Sequence, residues 1–126
     1  MREPGQKSVV FVVDDEPSIA RTTALILSGG GFDAKPFTDP RQALEAARTE
    51  SPNLIFSDVI MPDLNGFQLS TGVLKHCPQC KVLLFSGNPR AREEYATTPD
   101  EKNWQILSKP MHPEDLLTAI RVHLGA

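Results

Sequence analysis

Three short, unbroken apolar runs constrain the fold of this chain more than any other feature of its sequence. They are Val9–Val13, Leu54–Phe56 and Val82–Phe85, and all three are rich in β-branched or aromatic residues. Runs of this length and composition are typical of strands buried on both faces, as in a parallel sheet covered by helices. We therefore expect these runs to form the central strands of such a sheet.

Two weaker segments, Asp33–Phe37 and Trp104–Leu107, mix polar and apolar residues and are predicted to be the edge strands. Segments with helical spacing of apolar residues alternate with the strands. This alternation, with right-handed crossovers, predicts an α/β fold: a doubly wound, five-stranded parallel sheet of order 2-1-3-4-5 with helices on both faces.

Start and stop signals support most of the predicted helices. Gly29–Gly31 can end the first helix, whose buried stripe is expected to include Ile19, Thr23, Ile26 and Leu27. Asp39 before Pro40, and Asn65, are predicted N-caps of the second and third helices, and Pro113 is predicted to begin the last.

The fourth helix is expected to be short or irregular. Arg90–Thr97 is polar, and Pro99 follows it closely. Since proline interrupts a continuing helix, we predict a short helix and then a loop before the fifth strand.

Composition and charge narrow the functional classes. The length fits one domain over residues 1–126, with a core from about residue 8 to about residue 124. A net charge of -3 without a run of Lys or Arg argues against binding to nucleic acid or an anionic membrane. The longest apolar run is far below the ~20 residues that cross a bilayer, and Met1–Gly5 has no apolar stretch for a signal, so we expect a cytoplasmic protein.

Polar residues come directly after the predicted strands. Asp14 and Asp15 follow the first strand, Asp58 the third, Ser86 the fourth and Lys109 the fifth. Because the carboxyl ends of parallel strands share one edge of a sheet, where such folds bind ligands, we expect these side chains to meet.

Three neighbouring carboxylates repel one another unless they are protonated or neutralised, and an oxygen-rich acidic cluster suits Mg2+. Mg2+ takes only one or two protein carboxylates in most sites, which leaves a third for another task. An Asp beside a cation, a lysine and a hydroxyl has the parts needed to accept a phosphoryl group.

The ordering of these residues resembles the receiver domain of two-component response regulators. The resemblance covers about Ser8 to Leu124 and rests on four motifs. They are Asp14–Asp15, Asp58–Gly66, Phe85–Gly87 and Ser108–Pro110.

The resemblance implies that Asp58 is the phosphoacceptor. It implies that Asp14, Asp15, Asp58 and the backbone carbonyl of Ile60 hold Mg2+. The phosphoryl donor would be a phosphohistidine on a histidine kinase or a histidine phosphotransfer protein, and the output would pass to a downstream protein target.

By the same resemblance, Lys109 pairs with the phosphoryl group and Ser86 donates a hydrogen bond to it. The Lys109–Pro110 bond is expected to be cis. Ser86 and Ile106 occupy the switch positions, but the family often has Tyr or Phe where this chain has Ile106, so the usual aromatic switch is not available. The resemblance predicts no enzyme activity beyond the protein's own phosphotransfer and dephosphorylation.

Other interpretations remain open at this point. Ile106 and the unusual fourth helix favour a pseudo-receiver that binds partners without being phosphorylated. Cys77 and Cys80 form a CxxC, which resembles the motif of a redox protein. A helix precedes this motif and a strand follows it, however, which places it at the opposite edge of the sheet from the acids. Zinc held by His76 and these cysteines would lack a fourth ligand. An aspartyl-phosphate phosphatase would need an Asp-x-Asp loop, whereas Asp14 and Asp15 are adjacent.

Overall fold

A computed structural model describes residues 6–125. The ends of the predicted domain, residues 1–5 and residue 126, lie outside this part, as does the stretch considered above as a signal. The strands are β1 (Val9–Val13), β2 (Asp33–Phe37), β3 (Leu54–Asp58), β4 (Lys81–Ser86) and β5 (Gln105–Ser108). The helices are α1 (Pro17–Gly29), α2 (Pro40–Glu50), α3 (Gly66–His76), α4 (Ala91–Tyr95), α5 (Pro99–Asn103) and α6 (Pro113–Leu124).

The five strands form one sheet in the order β2-β1-β3-β4-β5, and all neighbouring strands are parallel. The predicted fold class and strand order are therefore confirmed. Alternate residues of β1 enter two separate cores, Phe11 on one face and Val12 on the other. Helices α2 and α3 cover the first face, and α1 and α6 cover the second. Among the described residues, none of the helices has the length and apolar character that crossing a membrane requires.

The predicted helix signals are found where they were expected, with one change in α1. Asp39 accepts a hydrogen bond from the backbone N–H of Arg41, and Asn65 forms a reciprocal capping box with Gln68. Ile19 was expected in the buried stripe of α1 but is 37% exposed. The buried face of this helix instead consists of Ala20, Thr23, Ala24 and Leu27.

The connection between β4 and β5 begins with a short helix, α4, as predicted, but it contains a second short helix, α5, where a loop was expected. Pro99 begins α5 instead of ending a helix. Thr98 is the N-cap of α5, and its side chain accepts a hydrogen bond from the N–H of Glu101 at 3.2 Å. Proline is favoured at this first helical position. The strand that follows runs over Gln105–Ser108, one residue later than predicted.

Glu101 fastens this connection to α3. Its carboxylate is buried, with 3% exposure, and accepts hydrogen bonds from the Thr71 hydroxyl at 2.6 Å and from the N–H and hydroxyl of Thr97. Burial by itself would raise the pKa of Glu101, but these hydrogen bonds outweigh it and the pKa is lowered.

Candidate functional site

The ends of β1 and β3 place three carboxylates together. Asp14 directly follows β1, and Asp58 is the last residue of β3. Carboxylate oxygens of Asp14, Asp15 and Asp58 all lie within 4.8 Å of one another. Asp14 and Asp58 are buried and Asp15 is exposed. The convergence of acids predicted from the sequence is present, and the cluster opens to solvent on the Asp15 side.

Lys109 supplies a cation to this cluster. Its Nζ lies 3.3 Å from Asp58 Oδ2 and 3.4 Å from Asp14 Oδ2, and it stands 4.4 Å from the centroid of the Phe85 ring. The backbone N–H of Lys109 donates to the Ser86 carbonyl at 3.0 Å, which fixes the lysine to the end of β4. The Lys109–Pro110 peptide bond is cis.

The environment of Asp58 shifts the pKa of its carboxyl group. Burial raises the pKa of Asp58, and the neighbouring Asp14 adds to this, while the Lys109 ammonium and the Ile60 N–H act in the opposite direction. The balance is a raised pKa. The cluster brings three carboxylates together with the ammonium of Lys109, and a divalent cation on the solvent side would complete the charge balance.

A glycine allows the loop after β3 to lie tightly against the end of that strand. The Gly66 N–H donates to the Val59 carbonyl at 2.8 Å, and a Cβ at Gly66 would lie 2.4 Å from the carbonyl oxygen of Asp58. A side chain at this position would therefore displace the backbone of Asp58. The sequence contains this glycine within the recognised motif, but the contact that requires it is visible only in three dimensions.

Ser86 is the last residue of β4 and is buried. Its Oγ accepts a hydrogen bond from the N–H of Asn88 at 3.0 Å. Asn88 was missed by the sequence analysis, because an Asn after a strand is usually a turn residue. Ile106 lies half-buried in β5 and packs against the core.

The two cysteines are at the other edge of the sheet. Cys77 follows α3 and Cys80 precedes β4, and both thiols are free and buried. Burial raises the pKa of the Cys80 thiol to about 12, helped by its neighbour Cys77. This favours a packing role for Cys80, since redox-active cysteines need an accessible thiolate. Within residues 6–125, His76 and the two cysteines do not bring three ligand atoms together for a metal.

Comparisons with known proteins agree with this geometry. The response regulator receiver domain family matches residues 10–121 of the chain. Protein PilG of Pseudomonas aeruginosa is 32% identical over 118 residues, which cover 91% of this chain and 86% of PilG. The DNA-binding response regulator MtrA of Mycolicibacterium smegmatis is 28% identical over 115 residues, which cover 91% of this chain and 50% of MtrA. The chain thus spans about half the length of that relative.

The fold also matches solved receiver structures. The receiver domain of sensor histidine kinase PA1611 from Pseudomonas aeruginosa PAO1, which has a magnesium ion in its active-site cleft, superposes with a TM-score of 0.83. It is 17% identical, and the match covers 96% of this chain and 100% of that one. From the family match, the sheet order and the acidic cluster together, the chain belongs to the response regulator receiver domains of two-component systems.

Proposed function

We propose that this receiver takes a phosphoryl group from a phosphohistidine onto Asp58, with Mg2+ bound, and thereby switches a protein-interaction face. The observation that carries the proposal is the convergence at Asp58. Its carboxylate lies 3.3 Å from the Lys109 ammonium and within 4.8 Å of the oxygens of Asp14 and Asp15.

The acidic cluster fits a divalent cation. Carboxylate and carbonyl oxygens are the ligands that Mg2+ prefers, and three carboxylates lie together here with the ammonium of Lys109. Asp14, Asp15, Asp58 and the backbone carbonyl of Ile60 would hold the ion. When bound, it would neutralise charge that develops on the phosphoryl oxygens. The magnesium site in the PA1611 receiver supports this assignment.

The chain's own residues perform the rest of the transfer. A carboxylate oxygen of Asp58 attacks the phosphorus, the new P–O bond forms as the N–P bond breaks, and the imidazole leaves with the electron pair. The Lys109 ammonium, which contacts the carboxylates before transfer, pairs with the phosphoryl oxygens afterwards. The Ser86 hydroxyl donates a hydrogen bond to a phosphoryl oxygen. This is the only chemistry proposed, so the protein acts as a regulator.

The donor would be a histidine kinase or a histidine phosphotransfer protein, and the signal would pass to a downstream protein target. The net charge of -3 disfavours direct contact with nucleic acid. The free, buried cysteines fit a reducing compartment, which supports a cytoplasmic location.

The test is the intact mass of the protein after incubation with Mg2+ and acetyl phosphate. We expect the native chain to gain one phosphoryl group, and Asp58→Asn or excess EDTA to abolish the gain. Asp63→Asn is the matched control, because Asp63 lies in the loop that follows Asp58 but is exposed. Its ion pair with Arg41 is long, at 3.9 Å. No gain in the native protein, although Mg2+ binds, would favour the pseudo-receiver.

A further inference from the structure

We propose that Asn88 is a positioning residue that couples the Ser86 hydroxyl to α4, and through α4 to Trp104. The proposal rests on the proposed phosphorylation of Asp58, since it describes how that event leaves the site. In this chain a series of polar contacts would link the site to the surface formed by α4, Trp104 and β5, which we call the α4–β5 face. This surface contains Ile106, where the family often has an aromatic residue.

The route begins at the Ser86 hydroxyl. A serine hydroxyl has one proton to donate and two lone pairs that accept. One lone pair is used by the N–H of Asn88 at 3.0 Å, so the proton stays available for a phosphoryl oxygen on Asp58. If Ser86 Oγ moves toward that oxygen, the Asn88 N–H either follows it or loses its acceptor.

The side chain of Asn88 continues the route into α4. Its Oδ1 accepts a hydrogen bond from the N–H of Arg90 at 2.9 Å, just before the helix begins. Its Nδ2 donates to Glu94 Oε2 at 3.2 Å, within the helix. A displacement of Asn88 therefore acts on both ends of this five-residue helix.

Arg92 connects α4 to the end of α5, directly before β5. Its Nη1 donates to the carbonyl of Lys102 at 2.6 Å and to the carbonyl of Trp104 at 2.7 Å. The Trp104 ring in turn stacks on Phe67 of α3, with centroids 6.4 Å apart and planes 9° from parallel. Any shift of α4 is thus transmitted to the environment of the only tryptophan in the chain.

A merely structural role for Asn88 makes a different prediction. The bond from Arg90 N–H to Asn88 Oδ1 is a local turn, which many Asn and Asp residues form without any signalling role. Asn88→Asp keeps this acceptor but removes the Nδ2 donor and places a carboxylate against Glu94. If Asn88 only shapes the turn, this substitution changes nothing that reports phosphorylation.

The experiment measures two quantities on the same samples, which contain Mg2+ and acetyl phosphate. Intact mass reports phosphorylation of Asp58, and Trp104 fluorescence reports the response of the α4–β5 face. We expect Asn88→Asp to be phosphorylated to the same extent as the native protein, with a fluorescence change that is smaller by about twofold or more. Glu93→Gln is the matched control, because Glu93 is exposed on α4 and contacts Arg90 but not Asn88.

A double variant that restores the lost hydrogen bond is the most specific test of the proposal. In the double variant Asn88→Asp/Glu94→Gln, the glutamine amide can donate to the new aspartate, which restores a bond at the same place, and the fluorescence change should return. A full fluorescence change in Asn88→Asp, or a phosphorylated native protein without any change, overturns the relay and leaves the proposed function intact. Absence of phosphorylation in the native protein overturns both.

Discussion

At the residue scale, Asp58 and Glu101 are buried carboxylates whose pKa values shift in opposite directions. Asp58 has burial and Asp14 acting against its charge, so its pKa is raised. Glu101 is also buried, but hydroxyl and backbone donors surround it and its pKa is lowered. The first arrangement suits a group that meets a cation and reacts, whereas the second suits a carboxylate that holds two elements together.

Glu101→Gln should therefore lower the free energy of unfolding at pH 7 by about 1–3 kcal/mol, because the ionised acceptor of several hydrogen bonds is replaced by a neutral one. The folded-state pKa lies below the unfolded value, so the stabilisation is complete above the unfolded pKa of about 4.3. It is lost as the pH falls through the folded pKa. Urea unfolding of the native protein and of Glu101→Gln, at pH 7 and under strongly acidic conditions, measures the gap between their free energies of unfolding. Glu93→Gln should show little change, and an equal gap at both pH values would contradict this account.

At the element scale, the β3–α3 junction links Asp58, the proposed phosphoacceptor, to the fold. Strand β3 ends in Asp58, and α3 begins at Gly66 with Asn65 and Gln68 as its capping box. The cap fixes the start of the helix, and the glycine lets that start lie against the Asp58 carbonyl. The loop between them is thus held at both ends.

Gly66→Ala tests this close approach. Its Cβ would meet the Asp58 carbonyl oxygen at 2.4 Å, and backbone cannot move aside as a side chain can. We expect the free energy of unfolding to fall by more than about 2 kcal/mol, against the gain of up to ~1 kcal/mol that alanine gives in an unhindered helix. Gly72→Ala is the control in the same helix, because its Cβ would meet only the flexible end of Leu44 at 3.0 Å. Similar denaturation midpoints for the two variants would refute the argument.

The sequence was sufficient to predict the strands and the helix caps, because the signals for these features are local. Unbroken apolar runs predict buried strands, and Asn65 predicts a cap, whatever surrounds them. Helix α5 was missed because five residues are too few to show a period, and because Pro99 can signal either a stop or a start. Which of the two applies depends on Thr98 and on the burial of Glu101, and that burial depends on α3.

The site divides in the same way. Asp58 and Lys109 were predictable because the shared edge of a parallel sheet follows from topology alone. The contacts of Asn88 and Trp104 were not predictable, since they are hydrogen bonds across a loop and a ring contact with Phe67. Neither contact has a sequence signature of its own.

At the scale of the whole molecule, the sheet separates two kinds of edge. The carboxyl edge gathers Asp14, Asp58 and Lys109, and the amino edge holds the buried Cys77 and Cys80. The residues that we propose for phosphoryl transfer thus lie apart from the buried thiols. The account therefore predicts one reactive position in the chain, at the end of β3.

The most direct test of this claim is to locate the modified residue chemically. Borohydride reduces an acyl phosphate to an alcohol, so protein treated with Mg2+ and acetyl phosphate and then with borohydride should contain homoserine in place of Asp58, as read by tandem mass spectrometry of its peptides. Unmodified Asp14, Asp15 and Asp63 in the same digest are the internal controls. Homoserine at any of these positions, or its absence from position 58 in protein whose mass shows a phosphoryl group, would contradict the account.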